Sequence, residues 1–385
     1  MLQGIARYVR ESGPWALYHE PRMSQLVEGW VPKWVDGWQG KGIIGRFRTN
    51  SIITAAKKTK LPVVDLLGAS SQTPFPVVEP DNAEVARLAA EHLIGRGFRQ
   101  FGYVGPLSVP WSQARWQAFE RVLTGRGYAC DSLQLEFENL HESWDEFIEQ
   151  TARWIRNHPK PFGLMLCWDM IGPPVTQACR EAGVAVPEEV AIVGVDNDET
   201  LCSICDPPLT SVCPNHDEVG YQGAALLDRM MRGEGAPRQR VLIAPRALVV
   251  RQSSDVSAIE DPAISQALRM IREHACNGLQ VREVAEHVPI SRSVLQRRFQ
   301  AIVGRSVHDE ILRVQMRKAE ELLRETDLPI GVVAEKAGFN HQEYMGAVFK
   351  GRMGMTPREY RRQAQTGHPL TGNGKTFEVR RETRR

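Results

Sequence analysis

No stretch of 18 consecutive apolar residues occurs in this chain, and no basic segment followed by an apolar run opens it. Neither a membrane span nor a secretory leader is therefore expected. Cysteine is sparse: seven residues in 385, odd in number and scattered. That distribution argues against a disulfide framework and for a reducing, cytoplasmic setting. There is no glycine-rich phosphate loop, no two-histidine metalloprotease helix and no serine nucleophile elbow. An enzymatic reading thus has no residues to stand on, and no cofactor is expected. Net charge is also small, at +2, but it is unevenly spread. Residues 258–385 carry 22 Lys and Arg against 16 Asp and Glu, whereas the residues before them carry 26 against 30. A basic C-terminal segment on a mildly acidic body suits a nucleic-acid reader attached to a domain that does something else.

The strongest pattern lies between Val281 and Arg362, where one helical unit occurs twice about 50 residues apart. The first copy holds Val281, Val284, Ala285, Leu295 and Phe299 at helical spacing, interrupted by a turn at Val288-Pro289. The second holds Ile330, Val333, Ala334, Gly338, Phe339, Met345 and Phe349. Each predicts a short helix, a tight turn and a second helix, with Ala285 or Ala334 small enough for close approach. In a helix-turn-helix the second helix enters the major groove and its outer face meets base edges. That face carries Arg292, Ser293, Gln296 and Arg297 in the first copy, and Gln342, Glu343 and Gly346 in the second. Arg can fork to guanine and Gln can pair bidentately with adenine, so the first copy is expected to specify more than the second. Each of Arg292, Gln296 and Arg297 is equally open to a phosphate contact. The plain alternative is a helical bundle with a solvated outer face. Ser306 to Glu325 predicts one helix between the copies, long enough at roughly 30 Å to set them about one groove repeat apart.

Upstream, short apolar runs alternate with amphipathic stretches, as in an α/β domain with a parallel sheet. Strands are predicted around 42–44, 62–67, 101–104, 163–167 and 190–195. Helices are predicted at 82–95, capped by Asp81 or Asn82 and stopped by Gly95 or Gly97, and at 112–124, 144–157, 174–182 and 216–232. Ser253-Ser254-Asp255 is expected to be a short polar link before Asp261-Pro262 opens the next helix. The domains are accordingly set at 1–254 and 258–363, with a disordered tail at 364–385.

The ending Phe349-Lys350-Gly351 through Thr356-Pro357 to Tyr360-Arg361 resembles the signature of the AraC-type transcription activators. The resemblance runs from about Asp261 to Arg362 and includes Ile290-Ser291, Leu295, Arg297 and Phe299. The family often has Phe where Met345 stands and Arg where Ala347 stands, which weakens base reading by the second copy. The first part is similar to the effector domain of the lac-repressor-type regulators, with their two-lobed periplasmic-binding-protein fold. Asp81-Asn82, Glu91-His92-Leu93, Gly97 to Phe101, Arg115 with Ala118-Phe119, and Val193-Gly194-Val195-Asp196 carry that likeness. Pro207 to Val212 followed by Gly220 resembles a crossing between lobes.

Joined in this order, the two parts resemble the regulators of xylose operons. That resemblance implies a DNA-binding activator working as a homodimer on double-stranded DNA, with a small sugar, D-xylose first, as effector. A repressor under the same control, or a carrier that binds no DNA, are the alternatives. It also implies that Arg115 and Asp196 contact the ligand, with Asp169, Asn197 and Asp198 as weaker candidates. Trp111 and Trp168 could stack on a sugar ring, or pack as ordinary core. Cys202, Cys205, Cys213 and His216 have the ligand types of structural zinc. They fall on the resembled interlobe crossing, however, and no metal site is expected. The chain departs from the pattern at its start, where Gly4 to Arg10 is similar to the family's first helix with no strand before it. A central strand is therefore expected to be missing, and Met1 to be a truncated or misassigned start.

Overall fold

Continuous apolar runs become the inner strands of two parallel sheets, because a strand covered by helices on both faces has no side for water. The computed structural model describes all residues except 14, 21–28, 30, 36, 69, 71–72, 136–143, 236–239, 256–257 and 366–385. Chain contacts divide it into two units, Met1–Ala258 and Ile259–Arg385. Most of the tail expected to be disordered lies outside the described residues. Among those described, no helix is long and apolar enough to cross a membrane.

The first unit is two-lobed. Lobe A holds α1 (Leu2–Ser12), β1 (Ile43–Gly45), α2 (Asn50–Lys58), β2 (Val63–Leu66) and β3 (Val77–Pro80). Lobe B begins with α3 (Asn82–Gly95), β4 (Gln100–Gly105), α4 (Pro110–Thr124), β5 (Cys130–Gln134) and α5 (Trp144–Asn157). It continues with β6 (Phe162–Leu166), α6 (Gly172–Glu181), β7 (Val190–Val195), α7 (Glu199–Ile204) and β8 (Thr210–Cys213). The chain then returns to lobe A as α8 (His216–Met231) and β9 (Val241–Ile243), and ends in lobe B as β10 (Ala247–Val249). Lobe A's sheet runs β1-β2-β3-β9, all parallel. Lobe B's runs β10-β8-β7-β6-β4-β5, with only β10 antiparallel. The chain thus passes between lobes three times, after Pro80, after Cys213 and after Ile243, and Asp81 N–H donates to Ile243 O at 2.8 Å where two passages meet.

All five predicted strands form, and β7 is buried at every position. Five further strands also form: β3, β5 and β8 carry polar residues, and β9 and β10 are three residues each, on short apolar runs at 241–244 and 247–250 that were not read as strands. Asp81 is the cap of α3, accepting from Ala83 N and Glu84 N at 3.0 Å. The helix ends at Arg96, with Gly97 at φ +90° turning the chain. Among the described residues no strand precedes β1, which is one edge of its sheet. α1 lies instead against α8, and the two cross at glycine: a Cβ on Gly4 would stand 1.7 Å from Asp217 O, and one on Gly220 2.0 Å from Met1 O.

The expected polar link at Ser253-Ser254 is instead buried. Ser253 Oγ donates to Ile192 O at 2.6 Å and accepts from Thr210 N at 2.8 Å, while Ser254 Oγ lies 2.7 Å from Thr210 Oγ1 and 2.8 Å from His92 Nε2. Two serines in sequence look like linker, but the Ser253 hydroxyl satisfies backbone groups of β8 and β7 and the Ser254 hydroxyl joins the Thr210 and His92 side chains.

The second unit is helical: α9 (Pro262–His274), α10 (Val281–His287), α11 (Arg292–Val303), α12 (Val307–Glu325), α13 (Ile330–Lys336), α14 (Gln342–Met353) and α15 (Pro357–Gln365). It has two cores. Ile264, Leu268, Val284, Leu295, Phe299, Val307 and Ile311 form the first. Leu312, Met316, Leu323, Val333, Met345, Phe349 and Tyr360 form the second. α12 supplies residues to both, so it is more than a spacer.

Candidate effector site and nucleic-acid interface

The sequence repeat extends to the caps. α11 ends at Gly304, φ +77°, and α14 at Gly354, φ +72°, each sending its N–H back to the carbonyl four residues earlier. Left-handed backbone is cheap only for glycine, and here it closes both second helices at equivalent points. The next helices are capped alike: Asp309 N donates to Ser306 Oγ at 3.1 Å and Glu359 N to Thr356 Oγ1 at 3.3 Å.

Leu295 and Phe299 are buried under α11, as Met345 and Phe349 are under α14. Arg292, Ser293, Gln296 and Arg297 are all exposed on the opposite face of α11. Arg292, Gln296 and Arg297 have no hydrogen bond or ion pair among the described residues, so their donors are available. Arg298, next to them, is instead tied to Asp261 Oδ2 at 3.2 Å, which fixes α11 against the start of α9. On α14, Gln342 and Glu343 are exposed and Gln342 Nε2 donates to Glu343 Oε1 at 3.3 Å. Gly346 is half-buried with open space where a side chain would be, and Ala347 beside it is exposed. The second face therefore carries less charge and fewer outward donors than the first.

In the first unit the ligand candidates gather at the carboxyl ends of lobe B's strands, where parallel α/β sheets bind small molecules. Arg115, on the first turns of α4, is buried and lies over the Trp111 ring at 5.1 Å. Its Nε donates to Asn82 Oδ1 at 2.8 Å and its Nη1 to Cys167 O, leaving Nη2 without a protein partner among the described residues. Trp111 and Trp168 pack together with ring centroids 5.2 Å apart. Asp196 follows β7 at φ +114°, a strained conformation for a residue with a Cβ, and Asn197 follows at φ +51°. His216 Nε2 lies 3.1 Å from Asp196 Oδ1, and Oδ2 has no partner among the described residues.

The structure separates the weaker candidates from these two. Asp169 is buried, accepts from Ser211 Oγ at 2.8 and 2.9 Å and from Asp198 N at 2.9 Å, and receives the Cys202 thiol at 3.4 Å. Burial pushes its carboxyl up to about 7 against those donors. Its oxygens are spent holding the turn after β7. Asn197 gives its N–H to Ser211 Oγ at 3.0 Å and takes Arg251 Nη2 on its Oδ1 at 2.9 Å. Asp198 caps α7 through Leu201 N. Cys202 and Cys205 are buried core thiols, the latter raised to about 12 by burial, and His216 faces Asp196 rather than either.

Two lobe A residues escaped the sequence reading. Arg46 directly follows β1, and Asp65 lies within β2, fully buried. The signal was present: a lone carboxylate in the apolar run Val63-Val64-Asp65-Leu66, and a cation at the end of the strand beside it.

Residues 90–254 match the family described as periplasmic binding protein-like domain, and residues 284–363 match a helix-turn-helix domain. The xylose operon regulatory protein of Escherichia coli strain K12 is 30% identical over 369 residues, covering 94% of this chain and 93% of that one. Its Haemophilus influenzae counterpart is 29% identical, covering 94% of each. The solved structure of the xylose-binding transcription activator xylR superposes with a TM-score of 0.79 at 30% identity, over 94% of this chain and 93% of that one.

Proposed function

This chain belongs to the family of xylose operon regulatory proteins, transcription regulators that join a periplasmic-binding-protein-like domain to a helix-turn-helix domain, and on that footing we propose a sugar-controlled transcriptional activator of xylose-type catabolic genes. The effector domain occupies 1–254 and the reader 258–363. The observation that carries the DNA-reading half is the face of α11, where Arg292, Gln296 and Arg297 stand exposed and, among the described residues, unpartnered above a buried Leu295-Phe299 seam. A helix held from below with forked donors on top has the chemistry for base edges in a major groove.

The effector sits between lobes A and B, with Arg115 Nη2 and Asp196 Oδ2 presenting a donor and an acceptor to adjacent hydroxyls, and Trp111 beneath. D-xylose is the leading ligand, because the relatives are named for xylose. The regulator works in the cytoplasm as a homodimer, and the sugar acts by binding one arrangement of that dimer better than the other. The test is a mobility-shift and reporter pair on the promoter bound by the full chain, with and without D-xylose. Reporter output rising at least severalfold with sugar supports the activator, output falling supports a repressor, and no response to D-xylose rejects the effector.

A further inference from the structure

Lobe B keeps Arg115 Nη2 and Asp196 Oδ2 open among the described residues, and two further unmet groups lie in lobe A. Gly45, at the end of β1, is in register with Asp65 on β2, so Arg46 is one residue beyond that pairing. Phe47 N–H donates to Asp65 Oδ1 at 3.4 Å, which holds the carboxylate beside the turn that carries Arg46. Among the described residues Asp65 Oδ2 and Arg46 Nε are buried and without a hydrogen-bond partner, while Thr73 and Arg240 act on the same carboxyl and partly offset the effect of its burial. An acceptor and a donor are thus both withdrawn from water and both unmet, on neighbouring strand ends. Each such group costs about 1–3 kcal/mol when nothing satisfies it.

Arg46 lies within electrostatic reach of Asp65 in its own lobe and of Asp196 in lobe B, yet it pairs with neither; burial holds its guanidinium below the usual arginine range. Burial and the nearby Arg46 hold Arg48 down at about 10. Burial pushes the Asp65 carboxyl up to about 7. A fold that needed only stability would have closed the Arg46–Asp65 pair into an ion pair or replaced it with apolar side chains.

We propose that Arg46 and Asp65 are the lobe A half of the effector site, a specificity pair that reads two neighbouring hydroxyls of a neutral sugar. Arg46 donates to one hydroxyl oxygen and Asp65 Oδ2 accepts the proton of the next. A neutral sugar supplies both hydroxyls without carrying a charge out of water, so a carboxylated or phosphorylated sugar is expected to bind more weakly. The proposal rests on the sugar-effector reading above and adds the residues through which lobe A takes part in it.

Arg46→Met and Asp65→Asn test it in the full chain, since Met keeps the apolar stem and Asn keeps the acceptor for Phe47 N–H. Calorimetric titration with D-xylose, L-arabinose, D-ribose and D-glucose, and with D-xylonate, is combined with melting of the ligand-free proteins. The expected result is a neutral sugar that binds the wild type and binds each variant at least tenfold more weakly, with ligand-free melting unchanged or raised and weaker binding of D-xylonate to the wild type. Equal affinity of wild type and variants, equal or tighter binding of D-xylonate, or ligand-free melting lowered by several degrees overturns the pair while leaving the sugar effector standing. A wild type that binds none of the sugars overturns both.

Discussion

Gln315, in the middle of α12, donates from its side-chain Nε2 to Gly338 O at 2.9 Å. The same nitrogen donates to Ala275 O, also at 2.9 Å. Ala275 follows α9 in the first helical half and Gly338 lies in the turn of the second, so one buried amide joins the two. Gly338 is at φ +83°, and a Cβ there would stand 2.6 Å from Ala275 O. The joint therefore combines a close backbone approach with the amide that satisfies both carbonyls.

Gln315→Leu leaves two carbonyls unmet and is expected to cost about 1–3 kcal/mol. In the DNA-reading account the larger effect is on geometry. Affinity for a duplex carrying both half-sites falls several-fold, whereas affinity for the first half-site alone holds. Denaturant unfolding and anisotropy titrations on the two duplexes measure this, and an equal loss on both would detach the joint from reading.

Arg292→Ala, Gln296→Ala and Arg297→Ala are each expected to cost about 1–3 kcal/mol on the preferred site if the residue reads a base, with relaxed selectivity at one or two positions. A residue that touches only phosphate weakens all sequences alike and flattens the salt dependence. Gln342→Ala and Glu343→Ala should cost less than any of the three. Competition binding against single-base variants at two salt concentrations distinguishes these outcomes.

The lower charge and fewer outward donors of the α14 face were legible from residue types alone, as were the repeat, the five apolar strands and the cap at Asp81. Side-chain commitments were not. Asp169 and Asp196 both follow inner strands of one sheet, yet Ser211, Asp198 N and Cys202 consume the first while the second keeps an oxygen open among the described residues. Partners up to 42 residues away decide that, and no local pattern carries it. Ser253 and Ser254 misled for the same reason, since their hydroxyls answer Thr210 and Ile192 from the far end of the domain. Asp65 went unnoticed because it sits inside a run that reads as plain core.

Asp196→Ala and Arg115→Ala are expected to weaken sugar binding by tenfold or more, but with different side effects. Arg115 also holds Asn82 and the Cys167 carbonyl, so its loss leaves buried groups unmet and lowers melting by several degrees. Asp196 is partly exposed, and among the described residues its side chain is held by His216 alone, so its replacement should leave melting nearly unchanged. Unchanged sugar affinity in Asp196→Ala would remove it from the site.

Asp65 also sets a pH dependence. Its carboxyl is pushed up to about 7 by burial, from an ordinary value of 3.8, so the folded chain keeps a proton that the unfolded chain releases near pH 4. Its contribution to stability is fully present below about pH 4 and is lost as pH rises towards 7. Asp169 shares that sign, while His92, lowered to about 4 by burial, opposes it between about pH 4 and 6.5. Asp65→Asn removes the first effect alone. Its melting advantage over the wild type should therefore grow from pH 5 to pH 8, by a few degrees, in parallel thermal scans.

The most direct measurement is a selection of the full chain on randomised duplex DNA at moderate salt, run with and without D-xylose. The account predicts enrichment of a site with a well-specified element and a weaker one about one helical turn away, roughly 10–10.5 base pairs, and a change in recovery when the sugar is added. Recovery of no common sequence under either condition would contradict it.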